Sequence, residues 1–277
     1  MSNLILTPEN YHSPEANLAY FSASQLKSFQ DCEARTMAEL RGEWQREETP
    51  SMLVGSYVDA HFSRTLDLFK AQHPDIYTRT GTLRSEYLKA NDIIARLERD
   101  DLAMMMLNSM NQVIVTGTLC GQPFRGMLDM LLDANLCDAI SKFYPKMDGL
   151  LFQSSAIVDL KVMRDFQPIY KEGMGRVTFV EAWGYDLSMA IYQRLILERD
   201  GTTPPCYILG ATKETVPDIG LFSIRQSELD AAFEIGMENI DRYAEVKAGK
   251  IEPTRCEECD WCKTTKTLTV ATVLGDF

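Results

Sequence analysis

The sequence predicts a mixed α/β fold in which one mixed β-sheet is covered by helices. Three observations carry that expectation. Apolar residues recur at helical spacing through the first third of the chain, strand-like patterns begin at Gln112, and helix and strands alternate from there to Arg225. The 277 residues suffice for one large α/β domain or two small ones, either burying a core without staples. The expected organisation is a single domain over 1–277: a mainly helical part over 1–111, a sheet-bearing core over 112–226, and a helix with a cysteine-rich segment over 227–277.

The first helix enters at 21–29, where Ser22 or Ser24 can cap free amides, and Cys32 follows it. A second helix is predicted over 51–69, with Leu53, Tyr57, Phe62 and Leu66 on one side and Pro50 ending the preceding segment. A third covers 83–107 through Leu88, Ile94, Leu97 and Leu102, and Met104 to Met106 read as core filler. Strands follow at 113–119 and 124–132, joined by the turn residues Cys120 to Pro123, and then at 156–162. A helix near 179–199 stops at Gly201 and Pro204, and strands come near 206–211 and 220–225. Ser227 caps a last helix with Leu229, Phe233, Gly236, Ile240 and Tyr243 on one face, ending near Gly249.

Composition narrows the function classes. No apolar run approaches the ~20 residues of a spanning helix, and residues 1–10 lack the pattern of a signal peptide, so a cytoplasmic location is expected. The formal net charge of -12 argues against a protein that coats nucleic acid. The acidity is uneven, however: residues 226–260 hold ten Asp/Glu against four Lys/Arg, whereas 121–199 hold ten against nine. A nearly neutral middle suits an enzyme that meets phosphate partly through bound cations.

Two carboxylates stand in apolar strand patterns, Asp129 in Gly126-Met127-Leu128-Asp129 and Asp159 in Val158-Asp159-Leu160-Lys161. A carboxylate there is costly unless paired or bound to metal. Strand alternation puts Asp159 and Lys161 on one face and Val158 and Leu160 on the other. Carboxylates from neighbouring strands can hold Mg²⁺ or Mn²⁺, and the lysine can orient or help deprotonate an attacking water. The plainer reading is an ion pair on a half-exposed strand.

The order of motifs favours the chemical reading. Gly55-Ser56-Tyr57-Val58-Asp59-Ala60-His61 on a helix, the Asp129 and Asp159/Lys161 strands, and a helix bearing Tyr185 and Tyr192 together resemble the RecB-like branch of the PD-(D/E)XK nucleases. Over roughly 22–263 the chain is most similar to RecE-type phage and prophage exonucleases. The resemblance implies a restriction-endonuclease-like core with helical N- and C-terminal parts. It also implies a metal-dependent deoxyribonuclease acting at duplex DNA ends in recombination, as a homo-oligomer that passes the exposed strand to a single-strand annealing protein. Asp59, Asp129 and Asp159 would hold the metal, and Asp129, Asp159, Lys161 and Tyr192 would carry catalysis. His61 lies about 200° round the helix from Asp59. Ser188 stands where the family's glutamine is expected, which leaves a catalytically silent DNA-end or protein-binding module as the alternative. Arg125, Lys142, Lys146, Arg164, Lys171 and Arg176 surround the site in sequence and are candidates to line the phosphate path.

Seven cysteines in a reducing compartment point to metal rather than disulfides. Cys256, Cys259 and Cys262 stand at Cys-x-x-Cys-x-x-Cys spacing, and Cys32 is the candidate fourth ligand. Related nucleases carry one cysteine before the core and three after it around an iron–sulfur cluster, so the resemblance implies a [4Fe–4S] site. Zinc is the alternative, and a metal-free reduced set the third reading. Cys120, Cys137 and Cys206 read as ordinary thiols.

Overall fold

The computed structural model describes residues 4–110, 112–145 and 155–268. Helices α1 (Pro14–Ala19), α2 (Ala23–Asp31), α3 (Glu33–Leu40), α4 (Pro50–Phe62), α5 (Leu66–Gln72), α6 (Lys89–Leu97) and α7 (Asp101–Leu107) come first. Strands β1 (Val113–Leu119), β2 (Gln122–Leu128) and β3 (Met130–Leu132), helix α8 (Ala134–Phe143) and strands β4 (Ala156–Met163), β5 (Ile169–Lys171) and β6 (Gly175–Val177) follow. The chain continues through α9 (Phe179–Ala182), α10 (Tyr185–Asp200), β7 (Cys206–Thr212), β8 (Ile219–Ile224), α11 (Gln226–Met237), α12 (Ile240–Lys247) and α13 (Asp260–Thr264). It divides into two compact units, one of residues 47–237 and one of 1–46 with 238–277. No helix among the described residues is long and apolar enough to cross a membrane.

The larger unit is built on a four-stranded mixed sheet in the order β3-β4-β7-β8, in which β4 and β7 run parallel and the outer pairs antiparallel. Two hairpins, β1-β2 and β5-β6, complete the described strands. Val158 and Leu160 of β4 and Tyr207, Leu209 and Ala211 of β7 share a core with Leu53, Tyr57 and Val58 of α4 and Ile93, Ile94 and Leu97 of α6. Each Val, Leu or Ile among them contributes about 1.5–3 kcal/mol by leaving water. That burial fixes the register, because a slip of one residue would drive Asp159 and Lys161 into this core.

Several predicted elements are cut differently. Pro50 opens α4 rather than ending what precedes it, since Thr49 caps the helix by accepting from the Met52 N–H. The helix predicted over 51–69 breaks after Phe62, where Arg64 takes a left-handed φ of 62°. The one predicted over 83–107 breaks because Asp100 caps a new helix, accepting from the Ala103 N–H at 2.9 Å. Gly184, at φ 61°, separates α9 from α10. The last predicted helix divides at Glu238 and Asn239 into α11 and α12, which belong to different units. Ser22 caps α2 as expected, and Met106 is fully buried as core filler.

The smaller unit joins the two ends of the chain. Phe29 of α2 stacks on Tyr243 of α12 with ring centroids 5.0 Å apart. Glu33 accepts from Arg242 Nε and Nη2 at 2.7 and 2.8 Å and from the Thr254 N–H at 2.7 Å. These contacts bring the 250s segment alongside α3, where the Ala34 N–H donates to the Thr254 carbonyl at 3.0 Å.

Candidate active site and cysteine centre

Asp129 stands at a bend rather than inside a strand: β2 ends at Leu128, and the chain turns there from its pairing with β1 to pair with β4 as β3. Released from the regular pleat, the Asp129 carboxylate reaches across to β4, where Oδ2 accepts from the Leu160 N–H at 2.9 Å. Lys161 Nζ forms an ion pair with Asp159 and lies 4.0 Å from Asp129 Oδ2. Asp159 is 4% exposed. Apart from that ammonium, its Oδ2 meets no hydrogen-bond donor among the described residues.

The charges are strongly coupled. Burial, the Asp159 charge and the Asp59 charge push Asp129 well above the usual carboxylate range, against the Lys161 ammonium and the Leu160 N–H. Asp59 is raised by burial and by Asp159, with Lys161 opposing. For Lys161, burial favours the neutral amine, but Asp159 and Asp129 outweigh it and raise its pKa. Three acids crowded round one ammonium leave an excess of negative charge, which a divalent cation would relieve.

Asp59 comes to this group on α4, beside Gly55, whose added Cβ would stand 3.8 Å from the Val162 Cβ. That is ordinary van der Waals packing of α4 on β4. His61 is engaged elsewhere, with Nε2 3.0 Å from Glu98 Oε1. Tyr185 at the start of α10 lies with its ring centroid 5.7 Å from Lys161 Nζ, and its hydroxyl pKa is raised by burial. Tyr192, two turns along, contributes to the electrostatic surroundings of Lys161. Gly126 makes room for it, since a Cβ there would come within 2.8 Å of the tyrosine ring. At the position of the family's glutamine, Ser188 Oγ donates to the Gly184 carbonyl at 3.2 Å.

A cleft of about 400 Å³ opens nearby; Gly55, Val162 and Tyr185 join it to this group, while Asp59, Asp129, Asp159 and Lys161 are not among its walls. Ser51, Gly55, Arg164, Trp183, Tyr185 and Lys213 are among its walls. Two cations here come from the carboxyl ends of the parallel strands β4 and β7, the usual location of a ligand crevice in such sheets. Lys213 was not singled out from the sequence; its signal was its position one residue beyond the strand parallel to β4. It donates to the Ser51 carbonyl at 2.8 Å and to the Ser51 Oγ at 2.7 Å. Trp183 is 56% exposed.

The predicted phosphate-path cations divide. Arg164 lines the cleft, held by Asp165 at 2.7 Å. Lys171 and Arg176 are exposed on the β5-β6 hairpin, and Lys142 is exposed on the last turn of α8. Arg125 is corrected: on β2 it is 2% exposed, so it is packed inside the fold and offers no surface to a phosphate. Lys146 lies outside the described residues.

The cysteine centre belongs to the smaller unit. The sulfurs of Cys32, Cys256, Cys259 and Cys262 all lie within 4.8 Å of one another, a group that could hold a metal ion or an iron–sulfur cluster. Among the described residues it is the group of three or more such side chains that is already this compact. Cys32 sits between helices, ending α2 and capping α3. N–H groups of Glu258 and Cys259 hold Cys256 down to about 6, whereas burial pushes Cys259 up to about 12. Cys137 and Cys206 are buried with raised pKa values, as ordinary core thiols are, and Cys120 is exposed at the β1-β2 turn.

The chain has a close structural relative: a "Putative exonuclease" from Eubacterium rectale, whose crystal structure superposes with a TM-score of 0.86 at 36% identity. The match covers 98% of this chain and 97% of that one. No curated protein sequence matches. Residues 22–139 and 141–265 match the family described as "PDDEXK-like domain of unknown function (DUF3799)", and the chain belongs to that PDDEXK-like family.

Proposed function

We propose that the protein is a divalent-metal-dependent deoxyribonuclease of the RecE-type, RecB-like kind, an exonuclease working at duplex DNA ends. One observation carries the reading above the others: Asp129, at the bend before β3, meets Asp159 and Lys161 within β4, and a cleft walled by Gly55, Val162, Tyr185, Arg164 and Lys213 opens next to them. A surface ion pair would not need two further acids, one on a separate helix, coupled electrostatically to the same group.

The residues' chemistry suits a hard cation, although their oxygens stand wider apart than the four sulfurs do. Asp59, Asp129 and Asp159 offer oxygen donors, and Asp159 Oδ2 is a buried acceptor with spare capacity. Mg²⁺ or Mn²⁺ bound there would supply an activated water and neutralise charge on the scissile phosphate. The chain's own residues do the positioning. The Lys161 ammonium donates toward the water or a phosphate oxygen, and the Leu160 N–H fixes the Asp129 carboxylate. Arg164 and Lys213 draw the phosphate backbone into the cleft, whose walls also include the aromatic side chains of Trp183 and Tyr185 for a sugar or base. Tyr192 backs Lys161. Assembly as a homo-oligomer and delivery of the freed strand to an annealing protein belong to the same proposal.

Incubation with end-labelled linear duplex and with covalently closed circles, each with and without Mg²⁺ or Mn²⁺, tests it. Degradation of the linear form alone, and only with metal, is the expected result. Nicking of the circle would make the enzyme an endonuclease. Silence with every metal would favour the binding module, in keeping with Ser188 turned to its own helix.

A further inference from the structure

We infer that the four-cysteine centre is built for a single tetrahedral zinc ion rather than for an iron–sulfur cluster. The two kinds of centre differ in size. Four thiolates on one zinc, each at about 2.3 Å in a tetrahedron, stand about 3.8 Å apart. In a cubane each thiolate binds a different iron at an outer corner, so the sulfurs stand roughly 6 Å apart with the inorganic core between them. Cys32 Sγ lies 3.6 Å from Cys262 Sγ, and Cys256 Sγ lies 3.9 Å from Cys262 Sγ. All four sulfurs fit within 4.8 Å of one another. They have the separation of a single-ion site.

The backbone agrees with that geometry. The Cys259 N–H donates to Cys256 Sγ at 3.3 Å, and the Arg35 N–H donates to Cys32 Sγ at 3.5 Å. Such bonds spread the charge that thiolates bring to a small dication. Glu257, between the first two cysteines of the triplet, takes a left-handed φ of 61°, which curls Cys-Glu-Glu-Cys tightly enough for that N–H to meet its own knuckle's sulfur. Arg255 locks the other side, with Nη2 donating to the Cys262 carbonyl at 2.6 Å. Cys32 and Cys262 are buried, packed with Ala34 and against Trp261. Widening the sulfurs to cluster spacing would have to displace that packing and those hydrogen bonds together.

The inference is independent of the nuclease reading, because it concerns the smaller unit and is read by metal content. The full chain is expressed in medium supplemented with both iron and zinc and purified without oxygen. Metal and acid-labile sulfide are then measured, with Cys259→Ser and Cys137→Ser alongside. The expected result is about one zinc per chain with no labile sulfide. Zinc should be lost in the Cys259 variant and kept in the Cys137 variant. Exchange for Co²⁺ should give the visible absorption of a tetrahedral four-thiolate site. Iron and labile sulfide near a cubane's stoichiometry, with broad visible absorption, would overturn the inference. So would protein that arrives metal-free and then binds added zinc no better than Cys259→Ser.

Discussion

The carboxylate group of the larger unit and the thiolate group of the smaller one are both clusters of anionic side chains, yet they are held in opposite ways. Asp59, Asp129 and Asp159 come from a helix, a bend and a strand; their charges crowd one ammonium, and a cleft opens beside them. The cysteines are compact, capped by backbone N–H groups, and partly sealed from water. An over-charged oxygen set next to a cleft is suited to exchanging ligands during a reaction, whereas a compact sulfur set capped by N–H groups is suited to holding one ion permanently. Substitutions in the two regions should therefore separate activity from stability.

The largest effect is expected from Asp159→Asn, which removes a ligand's charge while keeping its shape. Several kcal/mol of transition-state stabilisation are lost with it, so cleavage should fall by about a thousandfold or more while the melting temperature and zinc content stay put. A parallel loss of fold would merge the two regions and break the comparison.

Cys259→Ser should do the reverse. Losing a structural metal costs roughly 3 kcal/mol, which lowers the melting temperature by about 6–10 °C, while cleavage per folded molecule at low temperature is retained. A fall in kcat without a fall in thermal stability would give the thiolate centre a catalytic role.

Gly126→Ala sharpens the boundary from within the larger unit. The new methyl would meet the Tyr192 ring at 2.8 Å, so the ring must shift, destabilising the protein by about 1–3 kcal/mol and disturbing the surroundings of Lys161. Adding Tyr192→Ala removes the ring clash but leaves Val115 Cγ2 at 3.3 Å and forfeits the ring's packing, so stability should recover only in part and activity should not return in full, as thermal melts and rates measured on the double variant would show.

The smallest effect is assigned to the cleft's cations. Lys213→Ala in an Asp159→Asn background should weaken DNA binding a few-fold and reduce the salt dependence by about one phosphate contact. An unchanged salt slope would remove Lys213 from the phosphate path.

Legibility in the sequence followed the same division. The strands 113–119 and 156–162 read almost to the residue because alternation is a local property, and Asp159 with Lys161 came with it. The cysteine set was legible from the triplet's spacing, although bringing Cys32 to it took the pairing of α3 with the 250s segment. Helix breaks were missed at Arg64 and Gly184, where the apolar rhythm continues across a left-handed residue. Asp129 read as a strand residue because Leu128 and Met130 flank it, while the change of pairing partner that makes the bend is a tertiary event. Arg125 looked like a surface cation for the same reason: alternation predicts a face, and only the packing around β2 decides whether that face is covered. Lys213 was invisible until β7 was known to run parallel to β4.

The most direct test of the central claim is the rate of nucleotide release from a linear duplex as Mn²⁺ is titrated, for the wild type, Asp159→Asn and Lys161→Ala. The account predicts saturable, metal-dependent release by the wild type, near-zero release by Asp159→Asn at every Mn²⁺ concentration, and a much slower, still metal-dependent release by Lys161→Ala. Equal rates for wild type and Asp159→Asn, or release that ignores the metal, would contradict it.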